Sequence, residues 1–196
     1  MNTDVYHSGM RELQDSRDTR RIADRLAEVT LRSGFTDDDR AFIARSRMFF
    51  LATADGEGRP DCSYKGGAPG FVHVTGPSTL EIPDYDGNGM YRSWGNVQAN
   101  PHVGLLFIDF ETPKRLRVNG TARILRDPAL CAGWPGAVFL VRIEAERIFP
   151  NCPRYIHQMQ FVKESEHTPR EGYQPPVPAW KTFDAFRDAL PARDRD

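Results

Sequence analysis

Cysteine is scarce in this chain. Its 196 residues contain three, Cys62, Cys131 and Cys152, odd in number, far apart and without a CxxC pair. That pattern excludes a disulfide framework and offers no zinc site, so no metal is expected. An excess of charge is also lacking: 26 Lys and Arg face 27 Asp and Glu, a net charge of −1. No nucleic acid or other polyanion is expected as a partner. No apolar run approaches the length of a membrane span, and residues 1–30 are rich in charge without the apolar segment of a signal peptide. The expectation is a cytoplasmic protein with no membrane attachment. The third glycine of a dinucleotide loop is missing as well, since Gly56-Glu57-Gly58 runs into a strand rather than a helix. What remains is a chain 39% hydrophobic and 27% charged, enough for a single core of ordinary size.

The stretch over residues 82–107, IPDYDGNGMYRSWGNVQANPHVGLLF, carries the strongest local signal. Pro83, Asp84, Asp86, Gly87, Asn88 and Gly89 supply turn chemistry. A helix is expected from about Met90, with Met90, Trp94 and Val97 as one apolar stripe, ending at Asn100-Pro101. Its other side presents Arg92, Ser93 and Asn96 close to an N-terminus whose free N–H groups and dipole attract anions, which makes this the expected phosphate site. The following VGLLFI is apolar on both faces and reads as a strand buried on both sides.

Before this stretch, residues 10–32 read as one charged helix with Leu13, Ile22, Leu26 and Val29 as its apolar positions, set on the outside of the domain or on a partner subunit. Thr36 caps a short helix through about Ser46 that begins with three aspartates and turns Phe42 and Ile43 inward. Residues 48–54 form a strand, Asp55 to Gly58 a hairpin turn, and residues 60–66 a second strand. Alternation places Asp61, Ser63 and Lys65 on one face and Cys62 and Tyr64 on the other. Ser63 and Lys65 together suit a phosphate or a polar ring edge. The run Gly66-Gly67-Ala68-Pro69-Gly70 allows close approach by a ligand. Residues 71–75 and 79–82 make another hairpin.

Beyond it, residues 115–125 alternate as an antiparallel strand, residues 127–135 form a loop or short helix, and residues 137–149 a long last strand. The fold class is therefore mainly β (α+β), an antiparallel barrel of about six to seven strands with peripheral helices. The expected division is an N-terminal helical extension over 1–35, the barrel over 36–160 and an extended C-terminal arm over 161–196, with Trp180 and Phe183 anchoring the arm in a groove. Cys152 and His157 resemble a nucleophile and base but have no third orienting group. Arg154 and His157 instead suggest a cationic rim around an anion.

The order MFFLATADGEGRPDCSYKGG, FVHV, TLEIPDYDGNG, RSWGNVQANPHVGLLFIDF and LRVNGTARIL, over about residues 42–157, resembles the pyridoxamine 5′-phosphate oxidase-like FMN-binding split-barrel flavoproteins. The resemblance implies a homodimer of split barrels with FMN in a cleft at the subunit interface. The family strand that lies along the flavin falls on residues 61–66, which makes Ser63, Tyr64, Lys65 and Gly66 cofactor-binding. The family's basic phosphate-binding pair falls on Arg92 and Ser93, of which only Arg92 matches, so Lys65, Ser63 or Asn96 must assist. The substrate-binding Arg and His of the family fall on Arg154 and His157, with a spacing that differs by one. His157 is also the candidate general acid, because its ordinary pKa lies near neutrality. The family's Tyr and Arg for a substrate phosphate have no counterpart in RDPALCAGWP over 126–135, which speaks against vitamin B6 oxidation. The expected activity is hydride or electron transfer by FMN between a nicotinamide donor and a small organic acceptor. The alternatives are a non-catalytic flavin or haem-binding split barrel, with His73 or His102 as axial ligand, and a reductase using the deazaflavin cofactor F420.

Overall fold

The computed structural model describes residues 5–194. Two helices, α1 (Ser8–Ser16) and α2 (Arg20–Thr30), take the place of the single helix expected over residues 10–32. The chain breaks at Asp18, which adopts a left-handed conformation with φ of 50°. Arg11 pairs with Asp24 at 2.7 Å and the Tyr6 hydroxyl donates to the Ala23 carbonyl at 2.9 Å, so α1 and α2 are tied mainly to each other. Neither buries a side chain, and Leu13, Ile22, Leu26 and Val29 are exposed. Residues 1–4 of the proposed N-terminal extension lie outside the described residues, as do residues 195–196 of the arm.

Helix α3 (Asp37–Arg45) begins at the expected cap. Thr36 accepts from the Asp39 amide while the Asp39 carboxylate accepts from the Thr36 amide, a reciprocal capping box. Asp39 also holds the Arg32 guanidinium at 2.8 Å, which anchors the end of the helical extension to the barrel. Phe42 and Ile43 are fully buried.

The strands are β1 (Met48–Ala54), β2 (Pro60–Gly66), β3 (His73–Val74), β4 (Thr79–Tyr85), β5 (His102–Asp109), β6 (Lys114–Leu125) and β7 (Ala137–Pro150), with helix α4 (Arg92–Ala99) inserted between β4 and β5. They form one antiparallel sheet in the order β2-β1-β5-β6-β7-β4-β3, the antiparallel barrel expected from the alternation and hairpin signals and the split-barrel form implied by the resemblance. A turn of 3₁₀ helix over Pro128–Gly133 fills the loop before β7. In β5, Val103, Leu105 and Phe107 are buried, whereas Gly104, Leu106 and Ile108 are half-buried. The strand is therefore covered on one face and only partly on the other, a correction to the fully buried strand expected. Antiparallel pairing to β1 and β6, without crossover helices on both faces, explains the open second face.

The core gathers Phe49, Leu51, Leu80, Ile82, Leu105, Phe107, Leu116, Val118, Ile143 and Ile148 around Phe42 and Ile43 of α3. Full burial of each such side chain contributes about 1.5–3 kcal/mol. On the inner face of β2 the apolar lining stops. Register pairs Phe49 with Lys65, Leu51 with Ser63 and Thr53 with Asp61, so the inward residues of this edge strand are polar. An apolar core cannot extend over them, and the space is left open.

Curvature of the long β6-β7 ribbon comes from a bulge. Pairing passes from Asn119–Arg147 to Gly120–Ala145, leaving Glu146 out of register. Gly120 lies so close to its neighbour that an added Cβ would sit 2.0 Å from the Glu144 carbonyl oxygen, a backbone atom that cannot move aside. Gly120→Ala is expected to destabilise the fold by about 3 kcal/mol, the upper range for overpacking. Urea denaturation checks this, with Gly95→Ala as the control, since a Cβ there meets nothing within 4 Å.

Candidate functional site

The open space over β2 is a cavity of about 770 Å³. Asp61, Ser63 and Lys65 of β2 form one wall, Asp84 to Arg92 form the rim, and Ser93 and Trp94 form the base. Part of the C-terminal segment, including Trp180 and Arg193, closes the remaining side.

Trp94 organises this site. It is 3% exposed, and its indole N–H donates to the Asp84 carboxylate at 2.5 Å. The Lys65 ammonium sits 4.6 Å from its ring centroid, and Phe139 meets it edge to face at 6.3 Å. A cation over an indole face in a partly desolvated setting contributes about 1–2 kcal/mol. Burial lowers the pKa of Lys65 from its ordinary value, and the nearby Asp84 and Asp61 oppose that shift. Burial likewise raises the Asp84 carboxyl, opposed by the Trp94 N–H and by Lys65. Burial pushes the Tyr85 phenol up to about 12, which keeps it a neutral hydrogen-bond donor at physiological pH.

Helix α4 starts two residues later than its apolar spacing suggested. Gly89 (φ 76°) and Tyr91 (φ 48°) both adopt the left-handed conformation, so regular helix begins only at Arg92. Met90 is exposed on the cavity rim and Ser93 is buried beside Trp94 and Val97, which corrects both assignments. A left-handed non-glycine residue costs about 1 kcal/mol or more, and such strain concentrates at functional positions. The helix has no side-chain cap. Its first amides lack an acceptor from the capping residue, and the residues that carry them, Arg92 to Trp94, line the cavity, a setting suited to anions. Arg92 is largely exposed and its Nε donates to Asp61 at 3.1 Å, holding the guanidinium at the rim.

Four of the residues picked from sequence, Ser63, Lys65, Arg92 and Ser93, meet at this cavity. The others lie elsewhere. Asn96 donates to the Thr53 hydroxyl at 3.0 Å and ties α4 to β1. Tyr64 points to the opposite face of β2, 62% exposed, and leans over Gly66, where an added Cβ would approach the ring to 2.7 Å. Arg154 and His157 lie outside the cavity on the exposed segment that follows β7, with the Arg154 guanidinium 6.0 Å from the Tyr155 ring centroid. Of the two arm anchors, Trp180 does line the cavity, whereas Phe183 is exposed. Asp84, Asp86, Tyr91 and Arg193 were missed as site residues. The glycine-rich run around the first three was the available signal, while nothing local marks Arg193.

His73 lies against Trp134, with ring centroids 4.1 Å apart and planes tilted by 31°, and His102 is exposed at the start of β5. Among the described residues no cluster of His, Cys, Asp and Glu could hold a metal ion, and no helix is long and apolar enough to cross a membrane.

Residues 35–152 match the family model described as pyridoxamine 5′-phosphate oxidase. The chain belongs to this family. No curated protein is significantly similar to it in sequence. Among solved structures, a candidate pyridoxamine 5′-phosphate oxidase from Lactobacillus delbrueckii is 23% identical, with 60% of this chain and 95% of that one covered and a TM-score of 0.50. HupZ of Group A Streptococcus is 22% identical, covering 59% and 93%, with a TM-score of 0.48. The haem storage protein HutZ of Vibrio cholerae is 20% identical, covering 57% and 91%, with a TM-score of 0.43. At such identities the likeness concerns the fold, which for this pyridoxamine 5′-phosphate oxidase family member is the split barrel described above.

The central position of Trp94 has a measurable consequence. Trp94→Ala is expected to cost about 3–5 kcal/mol through the buried volume lost. Trp94→Phe should cost about 1–3 kcal/mol, because it keeps much of the packing but deprives the Asp84 carboxylate of its donor. Denaturant midpoints of the two variants check the order.

Proposed function

We propose that the chain is an FMN-dependent oxidoreductase whose cavity over β2 holds the cofactor, with hydride or electrons passing between a nicotinamide donor and a small organic acceptor. The observation that carries the reading is the meeting of an uncapped, strained helix start with Arg92 and Lys65 at one cavity. A volume of about 770 Å³ lies in the range of cofactor sites, roughly 300–1,000 Å³. The donor set fits a flavin mononucleotide. The amides of the first turn of α4, with Arg92 and the Ser93 hydroxyl, suit a phosphate dianion. Lys65, Ser63 and the neutral Tyr85 phenol suit the ribityl chain and the polar edge of the ring. Arg92 reaches an anion by exchanging its exposed Asp61 contact. When bound, FMN supplies the redox chemistry, while the protein orients it and limits water around it.

A homodimer belongs to the same reading. On the outer face of the sheet Tyr64 meets Phe50 edge to face at 6.2 Å, and Phe50 is registered with Leu106. This partly exposed apolar patch lies on the face of β2 turned away from the cavity, and patches of this kind mark association surfaces. Haem is the weaker reading, because neither His73 nor His102 lines the cavity over β2.

Purified protein with added FMN should retain the paired flavin bands after desalting and lose them when NADH or NADPH is added without oxygen. A Soret band, or no retained colour, would contradict the reading. Arg92→Ala should weaken FMN by about 1.5 kcal/mol, roughly tenfold in Kd, and leave riboflavin affinity unchanged. Sedimentation equilibrium is expected to give twice the monomer mass, and Tyr64→Asp should shift the population toward monomer.

A further inference from the structure

The C-terminal segment crosses the molecule with few attachments. After β7 it follows the β5-β6 turn, where the Met159 amide donates to the Phe110 carbonyl at 2.9 Å. It then passes Gly136, where an added Cβ would meet Pro169 at 2.8 Å, and ends against the cavity. Among the described residues after 150, only Lys181 and Leu190 are buried.

The last part of the segment is a small body of its own. A 3₁₀ turn (Ala179–Thr182), the one-turn helix α5 (Asp184–Arg187) and a second 3₁₀ turn (Ala192–Asp194) follow one another. Trp180 and Phe183 both pack on Phe186, at 6.2 and 6.5 Å between ring centroids. The stretch leading into it, Gln174-Pro175-Pro176-Val177-Pro178, is a stiff extended lever rather than a flexible tether.

Charge holds this body in place. The Lys181 ammonium, 9% exposed as a residue, donates to Asp86 of the cavity rim at 2.7 Å and pairs at 3.1 Å with Asp194 of the same segment. Arg193 pairs with the other Asp86 oxygen at 3.0 Å. The hydrogen bond that Lys181 donates to Asp86, and after it the one to Asp194, raises the Lys181 pKa, so the bridge persists across the neutral range. Asp86 lies in the same glycine-rich run that leads to the helix start, and Trp180, Pro191 and Ala192 form the cavity wall behind it.

We infer that residues 178–194 form a strap that opens and closes over the cavity as one unit, latched to the rim through Asp86 by Lys181, which Asp194 holds in place, and by Arg193. Few buried side chains put the segment at the low end of local stability, where opening occurs without unfolding the barrel. The latch is polar and converges on Asp86, where Lys181 is the buried partner and Arg193 the exposed one, so loss of Lys181 weakens the hold on the whole body. The device is a property of this chain beyond flavin binding and applies to any occupant of the cavity.

Hydrogen exchange read by mass spectrometry on the full chain tests it, with Lys181→Met to break the latch at similar length and Lys181→Arg to restore a cation. The amides of residues 178–194 should exchange about tenfold or more faster in Lys181→Met, the scale of one lost charge-assisted bond. The barrel strands should be unchanged, and Lys181→Arg should return toward wild type. Unaltered exchange in 178–194, or equal acceleration across the barrel, would overturn the strap. With FMN as the probe, stopped-flow association and dissociation should both quicken in Lys181→Met, and equal rates would remove the gating role. Failure of the wild-type protein to bind FMN would count against the flavin reading, with the strap then decided by the exchange data.

Discussion

The insertion of Trp94 between a lysine and an aspartate is the contact on which the site depends. The ring is buried on the sheet, its face carries the Lys65 ammonium and its N–H is held by Asp84. These contacts come from three elements, β2, β4 and α4, and they fix where the short helix begins. With Trp94 in place, the preceding residues must turn sharply to reach it, and the left-handed Tyr91 is the result. The uncapped amides of the helix start are thus aimed by packing, in a helix too short to be stable by propensity alone.

The same contact explains why a cavity exists beside a well-packed core. Inward positions of β1 carry Phe49 and Leu51, but their partners on β2 are Lys65 and Ser63. Polar groups with lost hydration are tolerated only with partners, and here the partners are the indole face, Asp84 and the open space itself. Charges at the rim are nearly balanced, with Arg92 on Asp61 and with Lys181 and Arg193 on Asp86. An anionic ligand entering this site exchanges partners with existing carboxylates instead of meeting bare cations. That favours selectivity and reversible binding over brute affinity.

Much of the architecture was legible in the sequence. The bounds of β1 and β2 follow from alternation flanked by Asp55-Gly56-Glu57-Gly58, and the α3 cap follows from Thr36 and its aspartates, because these signals are local. That Asp61, Ser63 and Lys65 share one face of β2 followed from the two-residue period, whereas its inward direction comes from the register with Phe49 and Leu51 of β1. The start of α4 did not follow, since a tertiary contact at Trp94 overrides the helical spacing of Met90. Asn96 is drawn to the cofactor by its place on the helix and Tyr64 by the family resemblance of its strand, yet Asn96 is bonded to Thr53 and Tyr64 lies on the outer face that its alternation indicates. The placement of the C-terminal segment was illegible for a different reason. Its fixing contacts join Asp86 to Lys181 and Arg193, 95 and 107 residues apart, and no local periodicity encodes them.

The central claim is that the phosphate end of a flavin nucleotide is held by the first turn of α4 with Lys65 close by. Amide chemical-shift mapping of the labelled protein during FMN titration tests it most directly. The largest shifts are expected on residues 91–94 and on Lys65. Largest shifts around the separate hollow lined by Phe42, Arg47 and Phe161, or no change at residues 91–94 on saturation, would contradict it.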